Sequence, residues 1–87
     1  MDIRDRLAEV DSDLLMADGW DDCILGTAYS PGRELLVVYD GEAIIQKMID
    51  RDGMTHEEAE EFFSFNIEGA WVGPRTPVFL RRINAVE

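Results

Sequence analysis

The sequence holds one cysteine, Cys23, and one histidine, His56, in 87 residues. A lone cysteine excludes an internal disulfide. With no apolar leader after Met-Asp-Ile-Arg-Asp-Arg, it points to a cytoplasmic protein. No apolar run approaches the roughly 20 residues that span a bilayer, so no membrane partner is expected. One histidine cannot make a His-Glu-x-x-His zinc site, and neither a Gly-x-Ser-x-Gly elbow nor a phosphate-binding glycine loop occurs. Bases are scarce as well: eight Lys and Arg stand against nineteen Asp and Glu, a formal net charge of −11. Such a chain is repelled by nucleic acid and anionic membranes and attracted to basic protein surfaces.

What is present reads as one α+β domain, residues 1–87. Ile3, Leu7, Val10 and Leu14, with Leu15, follow the four-three spacing of a helical face and predict a helix over 2–16. Two strand-forming runs, 23–29 and 34–39, flank Ser30-Pro31-Gly32-Arg33. Pro presets φ and Gly accepts a positive φ, which predicts a type II turn and a β-hairpin. The unbroken Leu35-Leu36-Val37-Val38 predicts a strand that is central, or one whose second face helices cover.

Asp40 is placed to cap a helix over 41–51 with Ile44, Ile45, Met48 and Ile49 on its apolar face, and Gly53 to close it. Thr55-His56-Glu57-Glu58 is a capping box opening a third helix. Its predicted inner face is Ala59, Phe62, Phe63, Asn66 and Ala70, with Asn66 tying a nearby backbone group. After the loop 73–77, a last strand over 78–83 would lie at a sheet edge because Pro77 lacks a donor. The expected order is α-β-β-α-α-β, with a three-stranded antiparallel sheet packed by helices.

Candidate chemistry is thin. His56 at a helix start predicts a solvated side chain, and Cys23 a buried small apolar one. Asp50-Arg51-Asp52-Gly53 is similar to the opening of a calcium loop, but the capping box replaces the ligand run such a loop needs. Asp18, Asp21 and Asp22 around Gly19 and Trp20 read as turn acids. No enzyme activity, cofactor or metal is expected. Trp20, Phe65 and Trp71 are candidate partner contacts, since Trp is enriched at interface hot spots.

The acids fall into two groups, one on the first helix and the turn after it, the other on the third helix. After Gly73 the only acid is Glu87. Carboxylates on successive helical turns stand about 5–6 Å apart, near the phosphate spacing of a nucleic-acid strand. Clusters that share a face would therefore mimic a nucleic-acid backbone. The stretch RDGMTHEEAEEFFSFNIEGAWVGPRTPVF, within residues 50–79, and the earlier ADGWDDCILG resemble segments of small proteins of tailed bacteriophages and prophages.

That resemblance implies a phage origin and so the host bacterial cytoplasm, while the acidity points to a basic surface of a host or phage protein as the partner. Its sharpest form is an inhibitor of a defence complex that handles nucleic acid, an anti-CRISPR or DNA mimic. The expected contacts are Asp18, Trp20, Asp21, Asp22, Glu57, Glu58, Glu61 and Glu68. A homodimeric accessory protein, using a sheet edge or Phe65 and Trp71, is the alternative.

Overall fold

The computed structural model describes residues 2–83; Met1 and residues 84–87, including Glu87, lie outside the described part. Helix α1 spans Ile3–Val10 and begins where the Asp2 side chain accepts the Asp5 N–H. The predicted helix over 2–16 stops early, and Val10 is exposed. Asp11 causes the stop: its carboxylate accepts the Asp13 N–H at 2.9 Å and its carbonyl the Leu14 N–H at 3.2 Å. A short polar side chain that captures the following amide offers the backbone an alternative to another helical turn. Leu14 still reaches the core, from a loop rather than from a helical stripe.

A 3₁₀ turn, Asp21–Cys23, leads into β1, Ile24–Ala28, which pairs antiparallel with β2, Leu36–Asp40. Leu25 is the extra residue of a bulge between the Ile24–Tyr39 and Gly26–Val38 pairs. The hairpin turn is as expected: Arg33 N–H bonds the Ser30 carbonyl at 3.0 Å, with Gly32 at φ +78°. β2 is the central strand, with Val37 and Tyr39 fully buried and Leu36 and Val38 half-buried.

β2 runs without a loop into α2, Gly41–Asp52, because Asp40 is both the last strand residue and the cap that accepts the Ala43 N–H at 3.1 Å. Ile44, Ile45 and Met48 bury the inner face, and Gly53, at φ +72°, ends the helix. Thr55 and Glu58 form the capping box of α3, His56–Phe62. From there the chain widens into a π-helical segment, Phe63–Glu68, where a continuous α-helix was expected. Spacing explains the change. Ala59, Phe63 and Ile67 recur every four residues, which drifts about 40° per step on a 3.6-residue helix. A wider turn returns Ile67 to the core side beneath Phe63. Ala59 and Phe63 are buried and Ile67 packs against the core, but Phe62, Asn66 and Ala70 are exposed, against expectation.

β3 covers only Val78–Leu80 and lies on the sheet edge, as Pro77 requires. It pairs parallel with β2, so the sheet is mixed and not antiparallel throughout. The connection over 41–77 carries two helices, and a crossover of that kind can return the chain to the same end of the sheet. Phe79 then meets Phe63 edge-on at 5.4 Å and Tyr39 at 5.6 Å, which joins the sheet to the helices in one core.

Candidate partner-binding surface

Nearly every base is spent inside the fold. Among the described residues only Arg6 and Arg33 make no ion pair. Arg4 on α1 reaches across to the turn, bonding Asp21 at 2.7 Å and Asp18 at 3.4 Å. Lys47 on α2 pairs with Asp22 and, through that bond, holds the Asp22 carboxyl below the usual carboxylate range. Arg75 clamps Asp11 at 2.9 Å and Glu34 at 2.8 Å. Asp11 is lowered, first by the Asp13 amide and then by Arg75.

Arg81 gathers a second network. It bonds Glu42 at 3.2 Å and Glu60 at 2.8 Å, approaches Glu68 at 3.9 Å, and lies over the Phe63 ring at 5.3 Å. Arg82 bonds Asp40 at 3.0 Å and depresses its pKa, while the Arg82 amide and then Arg81 do the same for Glu42.

The expected contact residues therefore divide. Asp18, Asp21 and Asp22 come together at Arg4 and Lys47, and Glu68 belongs to the Arg81 network. Asp21 Oδ1 is buried with no hydrogen-bond partner. Glu57, Glu58 and Glu61 are exposed and in no ion pair among the described residues, although Glu58 is engaged in the capping box. The acids without an ion pair also include Asp2, Asp5, Glu9 and Asp13 along and beyond α1, and Asp50 on α2. Spacing alone does not single them out, since Arg6 stands one helical turn from both Asp2 and Glu9 and pairs with neither. Lys47, by contrast, is distant in sequence from the acid it neutralises. The turn 18–22 and α3 are not adjoining patches of one helix; α2 packs against both.

Trp20 is half-buried against the core, with the Arg51 guanidinium 5.1 Å from its ring. Phe65 and Trp71 are 78% and 74% exposed. His56 is exposed at the first turn of α3, 3.8 Å from Glu60. Burial pushes the Cys23 thiol up and Asp22 adds to the shift, so the sulfur is a packed thiol and not a ready thiolate. Among the described residues no three His, Cys, Asp or Glu side chains are arranged to hold a metal. No helix there is long and apolar enough to cross a membrane.

Sequence reasoning missed an apolar groove of about 430 Å³ between the loop after α1, the π-helical segment and β3. Leu15, Trp20, Ile67, Ala70, Val72 and Phe79 line most of it. These residues come from three separate stretches of the chain, so no local pattern announces them. No protein-family model, curated protein or solved structure matches the chain.

Proposed function

We propose that the chain is a non-enzymatic binding protein whose uncompensated acidic surface docks on a basic, nucleic-acid-gripping face of another protein and blocks it. The observation that carries this reading is α3: Glu57, Glu58 and Glu61 stand exposed on one short helix with no base among the described residues paired to them. Glu57 and Glu61 are one helical turn apart, about 5–6 Å between Cβ atoms. A protein built to hold phosphates is attracted to such carboxylates by the same forces. The resemblance to small tailed-phage and prophage proteins supports a host or phage protein of the bacterial cytoplasm as the partner, a defence complex being the sharpest case.

Immobilised protein incubated with bacterial lysate tests this. A basic nucleic-acid-binding protein should be retained at low salt, released as salt rises, and displaced by duplex DNA. Glu57→Lys with Glu61→Lys should abolish the capture; Glu58 is left in place because it caps α3. Retention that survives the double reversal with its salt dependence unchanged would falsify the electrostatic account. The second reading, a homodimer, is favoured by the exposed Phe65 and Trp71. Light scattering that shows a dimer lost on Trp71→Ser would select it.

A further inference from the structure

The groove beside β3 differs in character from the surface around it. Among the described residues its lining carries no charged side chain. Asn66 and Thr76, its polar side chains apart from the Trp20 indole, are each at least partly engaged. Asn66 donates to the Phe62 carbonyl at 3.3 Å. The Thr76 hydroxyl donates to the Gly73 carbonyl at 2.6 Å and accepts the Val72 N–H at 2.9 Å. An occupant is therefore asked chiefly for apolar contact. The volume lies within the ordinary range for a ligand pocket and would hold one or two large apolar side chains. One wall is the π-helical segment, a rare backbone form that occurs disproportionately at functional sites.

The charges next to the lining sum to acid even after the bases are counted. Arg4, at the Ala17 carbonyl, is outnumbered by Asp18 and Asp21, and Arg51, over the Trp20 ring, is matched by Asp52. Asp18 follows Ala17, and its side chain is fully exposed at the edge of the Arg4 pair. Glu68 follows Ile67 and is only 3.9 Å from an Arg81 already shared with Glu42 and Glu60. Arg75 precedes Thr76 but is outnumbered by Asp11 and Glu34, with Asp13 adding to the negative field on it. An apolar floor within an acidic border complements an apolar anchor flanked by bases. A second copy of this chain fits poorly, because it would set a charge of −11 against −11. A small neutral molecule would be indifferent to the border.

We infer that the groove seats a short peptide segment of the partner protein, an apolar anchor with Lys or Arg on either side. This rests on the reading that the partner is basic, and adds where and by what chemistry it is gripped. Trp20 lines the groove and serves as reporter in a Trp71→Phe background. The probes are the synthetic peptides Lys-Lys-Leu-Phe-Leu-Lys-Lys, Lys-Lys-Ser-Gly-Ser-Lys-Lys and Glu-Glu-Leu-Phe-Leu-Glu-Glu.

The first should shift Trp20 emission and bind at least roughly tenfold more tightly than the other two, the scale of a single buried anchor. Ala70→Trp, at an exposed position that lines the groove, should abolish binding of the first peptide in calorimetry, a readout its added indole does not disturb, while leaving the thermal midpoint near that of the parent. Asp13→Lys should weaken binding and flatten its salt dependence. Glu57→Lys with Glu61→Lys should leave it nearly unchanged, so the groove and the α3 surface fail separately. The inference is overturned if Ala70→Trp binds the first peptide as well as the parent. It is also overturned if the acid-flanked or serine-glycine peptide binds equally, or if light scattering shows a dimer that Ala70→Trp dissociates.

Discussion

Tyr39 shows how a single side chain couples the core to the proposed binding loop. Its ring is fully buried in β2, and its hydroxyl accepts the Ala17 N–H at 2.7 Å and lies 3.4 Å from the Ala17 carbonyl. Burial raises the phenol's pKa, so it remains a neutral donor and acceptor. Tyr39→Phe keeps the ring but strands a partly buried amide, a loss of roughly 1–2 kcal/mol. Urea unfolding should show a lower midpoint with an unchanged slope, and Trp20 emission should move because its loop is no longer pinned. Gly41 is equally specific. A Cβ there would lie 2.8 Å from Arg81 Cδ, 3.0 Å from the Leu80 carbonyl oxygen and 3.2 Å from Phe63 Cζ. The Arg81 stem can yield, but the β3 carbonyl and the packed ring resist. Gly41→Ala should cost about 1–3 kcal/mol in the same measurement, the usual penalty of overpacking.

At the scale of elements, the junction of β2 and α2 turns on Asp40. Its carboxylate caps α2 through Ala43 and anchors Arg82 at the end of β3. Asp40→Ala should lower stability by roughly 1–2 kcal/mol. Asp40→Asn keeps a capping oxygen and should lose only a small part of that, and equal losses in thermal unfolding would show that the ion pair, not the cap, dominates. This cap was readable in the sequence, as were the turn at Pro31 and Gly32, the Thr55 capping box and the central place of β2. Each is decided within a few residues. The direction of β3 was not, because it depends on how two helices pack across residues 41–77. The early end of α1 was written in Asp11 and Asp13, but an apolar spacing that ran on to Leu14 masked it. The π-helical segment had a trace in the four-residue spacing of Ala59, Phe63 and Ile67. For the binding surface, the sequence located the acids but not their partners. Arg75 and Asp11 lie 64 residues apart in the chain, so only the folded molecule reveals which carboxylates are neutralised.

Over the whole molecule, two electrostatic effects oppose one another, and pH and salt separate them. The carboxyls of Asp11, Asp22, Asp40, Glu42 and Asp52 are all depressed by amide or basic partners. A depressed folded-state pKa means that the unfolded chain binds more protons in the window between the two values, so stability rises with pH there. The contribution is complete above the ordinary carboxylate range, near pH 5, and is lost as pH falls through the lowered values. The pairs of Asp22, Glu42 and Asp52 are solvent-exposed and individually weak, whereas Asp11 and Asp40 are half-buried. The net charge of −11 acts in the other direction at neutral pH, where mutual repulsion of the acids disfavours the compact state. Salt shortens the reach of that repulsion to about 10 Å at 0.1 M, while contact pairs at hydrogen-bond distance are screened less. The urea midpoint should therefore fall between about pH 5 and pH 2. At pH 7 it should rise with added sodium chloride, while affinity for a basic partner declines over the same salt range. A midpoint that drops with salt at pH 7 would mean that the ion pairs outweigh the repulsion. In that case the exposed carboxylates of α3 would not be the uncompensated charge on which binding is proposed to depend.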